Sequence, residues 1–124
     1  MNKTAIFILS DPKNGEEALG RAFNGLAAAY DIKQSGGDVS ITFQGTGTRW
    51  PALIAQVDHP LHGLYNLVKG SIAGVSCGCA DVFGAKEDAE TCGMPILSEN
   101  LVPGTTGLAG LGKLVKFGTT VITF

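Results

Sequence analysis

The residues of this chain best suited to chemistry are three cysteines, all within IAGVSCGCADVFGAKEDAETCG, residues 72–93. Cys77 and Cys79 flank a single glycine where an apolar run gives way to a helical pattern. A thiolate is a nucleophile and a metal ligand, and N–H groups at a helix start favour it. Gly78 allows a tight turn between the two thiols and leaves space for a partner to approach. The competing reading is packing, since free cysteine is among the most buried residue types. Position in a strand-to-helix loop, together with the pairing, favours chemistry, with Cys77 and Cys79 as the catalytic candidates.

Other constellations are weaker. Structural zinc usually takes cysteine pairs with two to four residues between them, and Cys77-x-Cys79 is closer than that. A helix from Ala80 to Thr91 would carry Cys92 about 18 Å away, to the opposite edge of a sheet. His59 and His62 flank Pro60 in a different loop, so no metal is expected. GLAGLGKL (107–114) nearly spells a phosphate loop, but Leu114 stands where a magnesium-binding hydroxyl belongs, and no strand leads directly into it. GTGTRW (45–50) has Trp50 where a dinucleotide fingerprint needs its third glycine. Its Arg49 can neutralise an anion at the mouth of a site; equally, Arg49 is a surface charge and Trp50 core. Asp11 is the best-placed carboxylate, and Asp11-Pro12 is also ordinary turn chemistry. Asp11, Gly47, Arg49 and Gly78 are the candidate substrate- or anion-binding residues. No Ser/His/Asp constellation assembles.

These residues need elements to hold them. TAIFILS (4–10) is a continuous apolar run, a strand buried on both faces. A helix follows, with Asn14 as cap, Glu17 completing a capping box, and Leu19, Phe23, Leu26 and Tyr30 at helical spacing until Gly36-Gly37. Val39, Ile41 and Phe43 alternate with polar residues as a second strand. Two helices opened by proline, 51–57 and 60–69, lead to a third strand, Ile72 to Ser76. A helix over 80–91, a short strand at 94–97, a loop around Pro103-Gly104, a glycine-loosened helix through Leu108, Leu111 and Leu114, and a closing strand TTVITF complete the chain. The alternation predicts an α/β fold with three α/β/α layers, a mostly parallel sheet of about five strands, and one domain over 1–124. In such sheets ligands gather at the carboxyl ends of strands, here the loops SDPKNG, QGTGTRW and SCGC.

Composition narrows the function. The chain has 124 residues, 44% hydrophobic and 16% charged, with a net charge of −2. That balance excludes a disordered chain and offers no electrostatic footprint for nucleic acid. No run approaches a membrane span, the first apolar run is too short for a signal-peptide core, and an odd cysteine count bars a complete internal disulfide framework. A reducing cytoplasm is the expected setting.

With these residues in view, the chain resembles the DsrE/DsrF-like family, which includes YchN-type proteins and sulfur-relay subunits. The likeness runs through AIFILS, QSGGDVSITFQG, the glycine before a cysteine-bearing loop, and GTTVITF. Its most specific stretch is VSCGCADVFGA. Family members carry a cysteine after this strand and a glycine about eight residues on; Cys77 and Gly84 are seven apart. Some members have two residues between paired cysteines where this chain has one, and the family's Arg-Gly reads Phe83-Gly84 here. The resemblance implies a carrier of sulfane sulfur without cofactor, with Cys77 or Cys79 accepting sulfur as a persulfide. Its partners would be sulfur donor and acceptor proteins, and its assembly a trimeric or hexameric homo-oligomer. The rival reading is a non-catalytic small-ligand or assembly module of the same fold whose cysteines pack.

Overall fold

The structure, a computed structural model, describes residues 2–124. Five strands, β1 (Lys3–Ile8), β2 (Asp38–Phe43), β3 (Ile72–Ser76), β4 (Ile96–Leu97) and β5 (Thr120–Thr123), form one sheet in the order β4-β3-β2-β1-β5. Every pairing is parallel, with Ile6 opposite Ile41 on one side and Ile122 on the other. Among the described residues, six α-helices accompany them: α1 (Gly15–Gln34), α2 (Trp50–Ile54), α3 (His62–Val68), α4 (Cys77–Val82), α5 (Lys86–Thr91) and α6 (Gly112–Lys116). A 3-10 turn, Gly45–Arg49, leads into α2. The architecture is the expected three-layer α/β/α, with unequal layers. Steps from β1 to β4 run in one direction, and right-handed crossovers place α1–α5 on one face. The return to β5 runs the other way and places α6 on the opposite face. Among the described residues no helix is long and apolar enough to cross a membrane.

The thick layer buries Ile6, Ile8, Val39, Ile41, Phe43 and Val75 beneath the helices. The thin layer covers Ala5 and Phe7 with Ala109, Leu114 and Val121. Of the apolar residues Leu19, Phe23, Leu26 and Tyr30, helix α1 turns Leu26 into the core and packs Leu19 against it, but leaves Phe23 and Tyr30 exposed. Phe23 is 49% exposed, and the buried stripe is Ala18, Ala22, Gly25, Leu26 and Ala29. Small side chains bring the helix close to β1: a Cβ on Gly25 would lie 3.1 Å from Ile8 Cδ1. The predicted capping box is not made either. Asn14 makes no side-chain cap, and Glu17 pairs instead with Arg21 at 2.7 Å.

Two predicted helices change. The one over 80–91 starts earlier, at Cys77, and breaks in two at Gly84, whose φ of +68° an L side chain adopts only with strain. Ala85 N–H to Ala80 O and Gly84 N–H to Asp81 O close α4 there as a Schellman turn. In the helix predicted through Leu108, only Gly112–Lys116 is helical. Leu108 instead forms an antiparallel bridge with Asn100, both N–H···O distances 2.8 Å, because Ala109 must reach the sheet and bury there.

Gly47 is the tightest contact between loop and sheet: an added Cβ would meet the Ile8 carbonyl oxygen at 2.0 Å, whereas one on Gly20 meets nothing within 4 Å. Gly47→Ala is expected to destabilise by about 2 kcal/mol or more through forced backbone movement. Gly20→Ala, inside α1, is expected to stabilise by about 0.5–1 kcal/mol. Urea unfolding of the two variants checks both; a neutral Gly47→Ala would refute the packing of this turn against β1.

Candidate active site

Because the sheet is all parallel, the carboxyl ends of its strands open on one edge, and the loops singled out from the sequence meet there. Cys77 follows β3 directly as the first residue of α4 and is 6% exposed. The i to i+4 step along α4 sets Asp81 beside it, with Cys77 Sγ 4.0 Å from Asp81 Oδ2. Thr106 completes the group. The Cys77 thiol donates to Thr106 Oγ1 at 3.4 Å, and the Thr106 hydroxyl donates to Asp81 Oδ2. Lys86 Nζ lies 3.8 Å from Asp81 Oδ1. Thiol, hydroxyl and carboxylate thus form one cluster, in which the thiol faces both the Thr106 hydroxyl and, at longer range, the Asp81 carboxylate that this hydroxyl also bonds. That is the geometry of a nucleophile with a base reachable through an oriented hydroxyl.

Thr106 arrives on a strap from the thin layer. Gly78 N–H donates to Gly107 O at 2.6 Å, and Ala109 N–H to Ser76 Oγ at 3.0 Å, which ties the strap across the end of β3. The space that Gly78 provides is therefore filled by this chain itself: a Cβ there would meet Leu108 Cδ2 at 2.9 Å. Its N–H is bonded to Gly107, so the expected anion contact at Gly78 is not open. Gly47 likewise donates its N–H to Gln44 O at 2.9 Å and is buried, acting as a packing glycine. Thr106 and Asp81 escaped the sequence reading. The i+4 spacing of Asp81 was an available signal; nothing local marked Thr106.

Cys79 is half-buried, also in the first turn of α4. Helical residues two apart do not face one another, so the early start of α4 points the two thiols in different directions. Cys92 ends α5, donating its thiol to Ala89 O at 3.3 Å, and burial pushes its pKa up. All three thiols are free, and among the described residues no group of three or more His, Cys, Asp or Glu is placed to hold a metal.

Asp11 and Arg49 do meet. Arg49 Nη1 donates to both Asp11 carboxylate oxygens at 3.1 Å, and Nε to Phe83 O at 3.4 Å. The guanidinium also stands 5.6 Å from the Phe83 ring centroid. Lys13 N–H donates to Asp11, and this bond, with Arg49 beside it, holds the carboxyl below the usual range against a smaller effect of desolvation. Trp50 is core, its Nε1–H donating to Ser10 O at 2.8 Å. The histidines are structural. Burial lowers the pKa of His59, whose Nδ1 accepts from Leu61 N–H at 3.0 Å, and His62 Nδ1 bonds Ile54 O at 2.9 Å.

The chain matches no known family model, no curated protein and no solved structure.

A lowered carboxyl pKa in the folded state adds stability that is present above the unfolded value near 3.8 and lost as pH falls through the folded one. Asp11→Asn should therefore flatten the loss of thermal midpoint as pH falls below about 4. Equal acid slopes for wild type and variant would remove Asp11 from the pairing described.

Proposed function

We propose that the protein is a cysteine-dependent sulfur carrier, in which Cys77 accepts sulfane sulfur as a persulfide and passes it to a partner protein. The observation that carries this reading is the Cys77–Thr106–Asp81 relay at the carboxyl end of β3. The resemblance to the DsrE/DsrF-like family, strongest in VSCGCADVFGA, supports it independently, and a reducing cytoplasm suits the free thiols. The Cys77 sulfur attacks the outer sulfur of a donor persulfide, R–S–SH, as its proton passes through Thr106 to Asp81. The donor's S–S bond breaks, and R–S⁻ leaves and takes up that proton. The products are Cys77–S–SH and R–SH, with no net oxidation. Attack on the outer sulfur by an acceptor thiolate restores Cys77. Cys77 is nearly buried, so the donor's outer sulfur must reach it past the exposed 101–105 segment while Thr106 stays bonded to Asp81. Assembly as a trimer or hexamer is part of the proposal, supported by exposed apolar residues on the thin layer, among them Val115 and Phe117.

The second reading, a non-catalytic ligand-binding or assembly module, is favoured by the 6% exposure of Cys77 and by two clefts of about 360 Å³ whose linings contain no cysteine.

Intact mass after incubation with glutathione persulfide separates the two. Uptake of about 32 Da, reversed by reductant, is expected for the wild type and absent in Cys77→Ser. Asp81→Asn is expected to slow uptake by about a hundredfold, the effect of removing a positioned base, while folding is followed by circular dichroism. Cys79→Ser and Cys92→Ser should take up sulfur like the wild type. If wild type gains no mass and Cys77 resists alkylation in the folded protein, Cys77 is packing and the module reading replaces the carrier.

A further inference from the structure

A cleft of about 360 Å³ lies at the C-terminal end of α4, where the 3-10 turn before α2 meets the break between α4 and α5, and Cys77 is not among its lining residues. Its size is at the small end of ligand pockets. Ala52, Leu53, Phe83 and Ala85 give it an apolar wall. Arg49 reaches it with a guanidinium fixed by three separate contacts: Asp11 on Nη1, the Phe83 carbonyl on Nε, and the Phe83 ring against its face. Among the described residues Nη2 has no hydrogen-bond partner, although the side chain is only 23% exposed. A half-buried donor already fixed in place loses little freedom on binding. Lys13 adds a second cation to the lining and makes no ion pair among the described residues.

We infer that this cleft binds a small monocarboxylate with an apolar body, its carboxylate on Arg49 and Lys13 and its body against Leu53, Phe83 and Ala85. Guanidinium and carboxylate are matched in shape, and charge-assisted bonds of this kind are the strong ones. Charge counting sets the class. Asp11 pairs with Arg49, and Asp88 adds a negative charge to the lining, so little excess of positive charge remains to hold a polyphosphate. Hydrogen-bond donors and an apolar wall remain, which suit one carboxylate on a compact hydrocarbon. The site shares no residue with the sulfur relay and stands or falls apart from it.

The test uses benzoate as the probe in ¹⁵N-correlated NMR titrations of the whole chain, with benzyl alcohol and inorganic phosphate as controls. Benzoate should shift the amides of Thr48, Arg49, Gly84 and Ala85 saturably, and each control should do so at least about tenfold more weakly, since each lacks one half of the recognition. Arg49→Gln should weaken benzoate by about tenfold or more. Ala52→Trp, which places a large side chain in the cleft and keeps Arg49, should do the same, and the spectra themselves report whether either variant is folded. Cys77→Ser should bind benzoate like the wild type, so failure of the sulfur reading leaves this result intact. Absence of saturable shifts at these amides, equal response to benzyl alcohol or phosphate, or unchanged benzoate affinity in a folded Arg49→Gln or Ala52→Trp protein would overturn the assignment.

Discussion

From Ala5 to Ile8, strand β1 has no polar face. Ala5, Ile6, Phe7 and Ile8 are each no more than 2% exposed, with the two isoleucines on one side of the sheet and Ala5 and Phe7 on the other. A parallel strand of this kind must be covered on both faces and paired on both edges. Helices α1–α5 cover only one face, because the chain steps from β1 to β4 in a single direction. The other face and the free edge of β1 can be satisfied only if the chain reverses after β4, crosses the sheet and pairs β5 beside β1. The rest of the thin layer follows from that crossing.

The site is a by-product of the same crossing. On its way back the chain passes over the end of β3, held by Gly107 O on Gly78 N–H and by Ala109 N–H on Ser76 Oγ. Those two bonds set Thr106 over Cys77, and the hydroxyl joins the thiol to Asp81. A residue 29 positions away in sequence thereby becomes part of the thiol's environment. The same strap nearly closes Cys77 from solvent, so the contact that orients the sulfur also restricts access to it. Stability of the return crossing and the surroundings of the thiol are linked through one short loop.

A second knot joins the loops after β1 and β2 to the end of α4. Asp11 comes from the first, Arg49 from the second and Phe83 from the third, and one guanidinium contacts all of them. Gly47 makes this possible by letting the 3-10 turn lie directly on the Ile8 carbonyl. The result is a rigid corner at the carboxyl edge of the sheet, distinct from the thiol relay although α4 belongs to both.

The sequence by itself determined the α/β alternation, the mostly parallel sheet of about five strands and the placing of Cys77 and Cys79 at a strand's carboxyl end. These depend on local pattern: unbroken apolar runs for doubly buried strands, and glycines where helices stop. Ile72–Ser76 is a strand as the pattern required, and Trp50 is core. Only the tertiary structure decided which face of α1 turned inward, since close approach to β1 rewards alanine and glycine over the larger Phe23 and Tyr30. It also decided that Leu108 pairs with Asn100 instead of joining a helix, because covering β1 outweighs a weak helical pattern rich in glycine. The relay partner Thr106 was invisible for the same reason: a contact made by a loop crossing a sheet leaves no periodicity in the chain, and its distance in sequence is fixed by the route and not by any local rule.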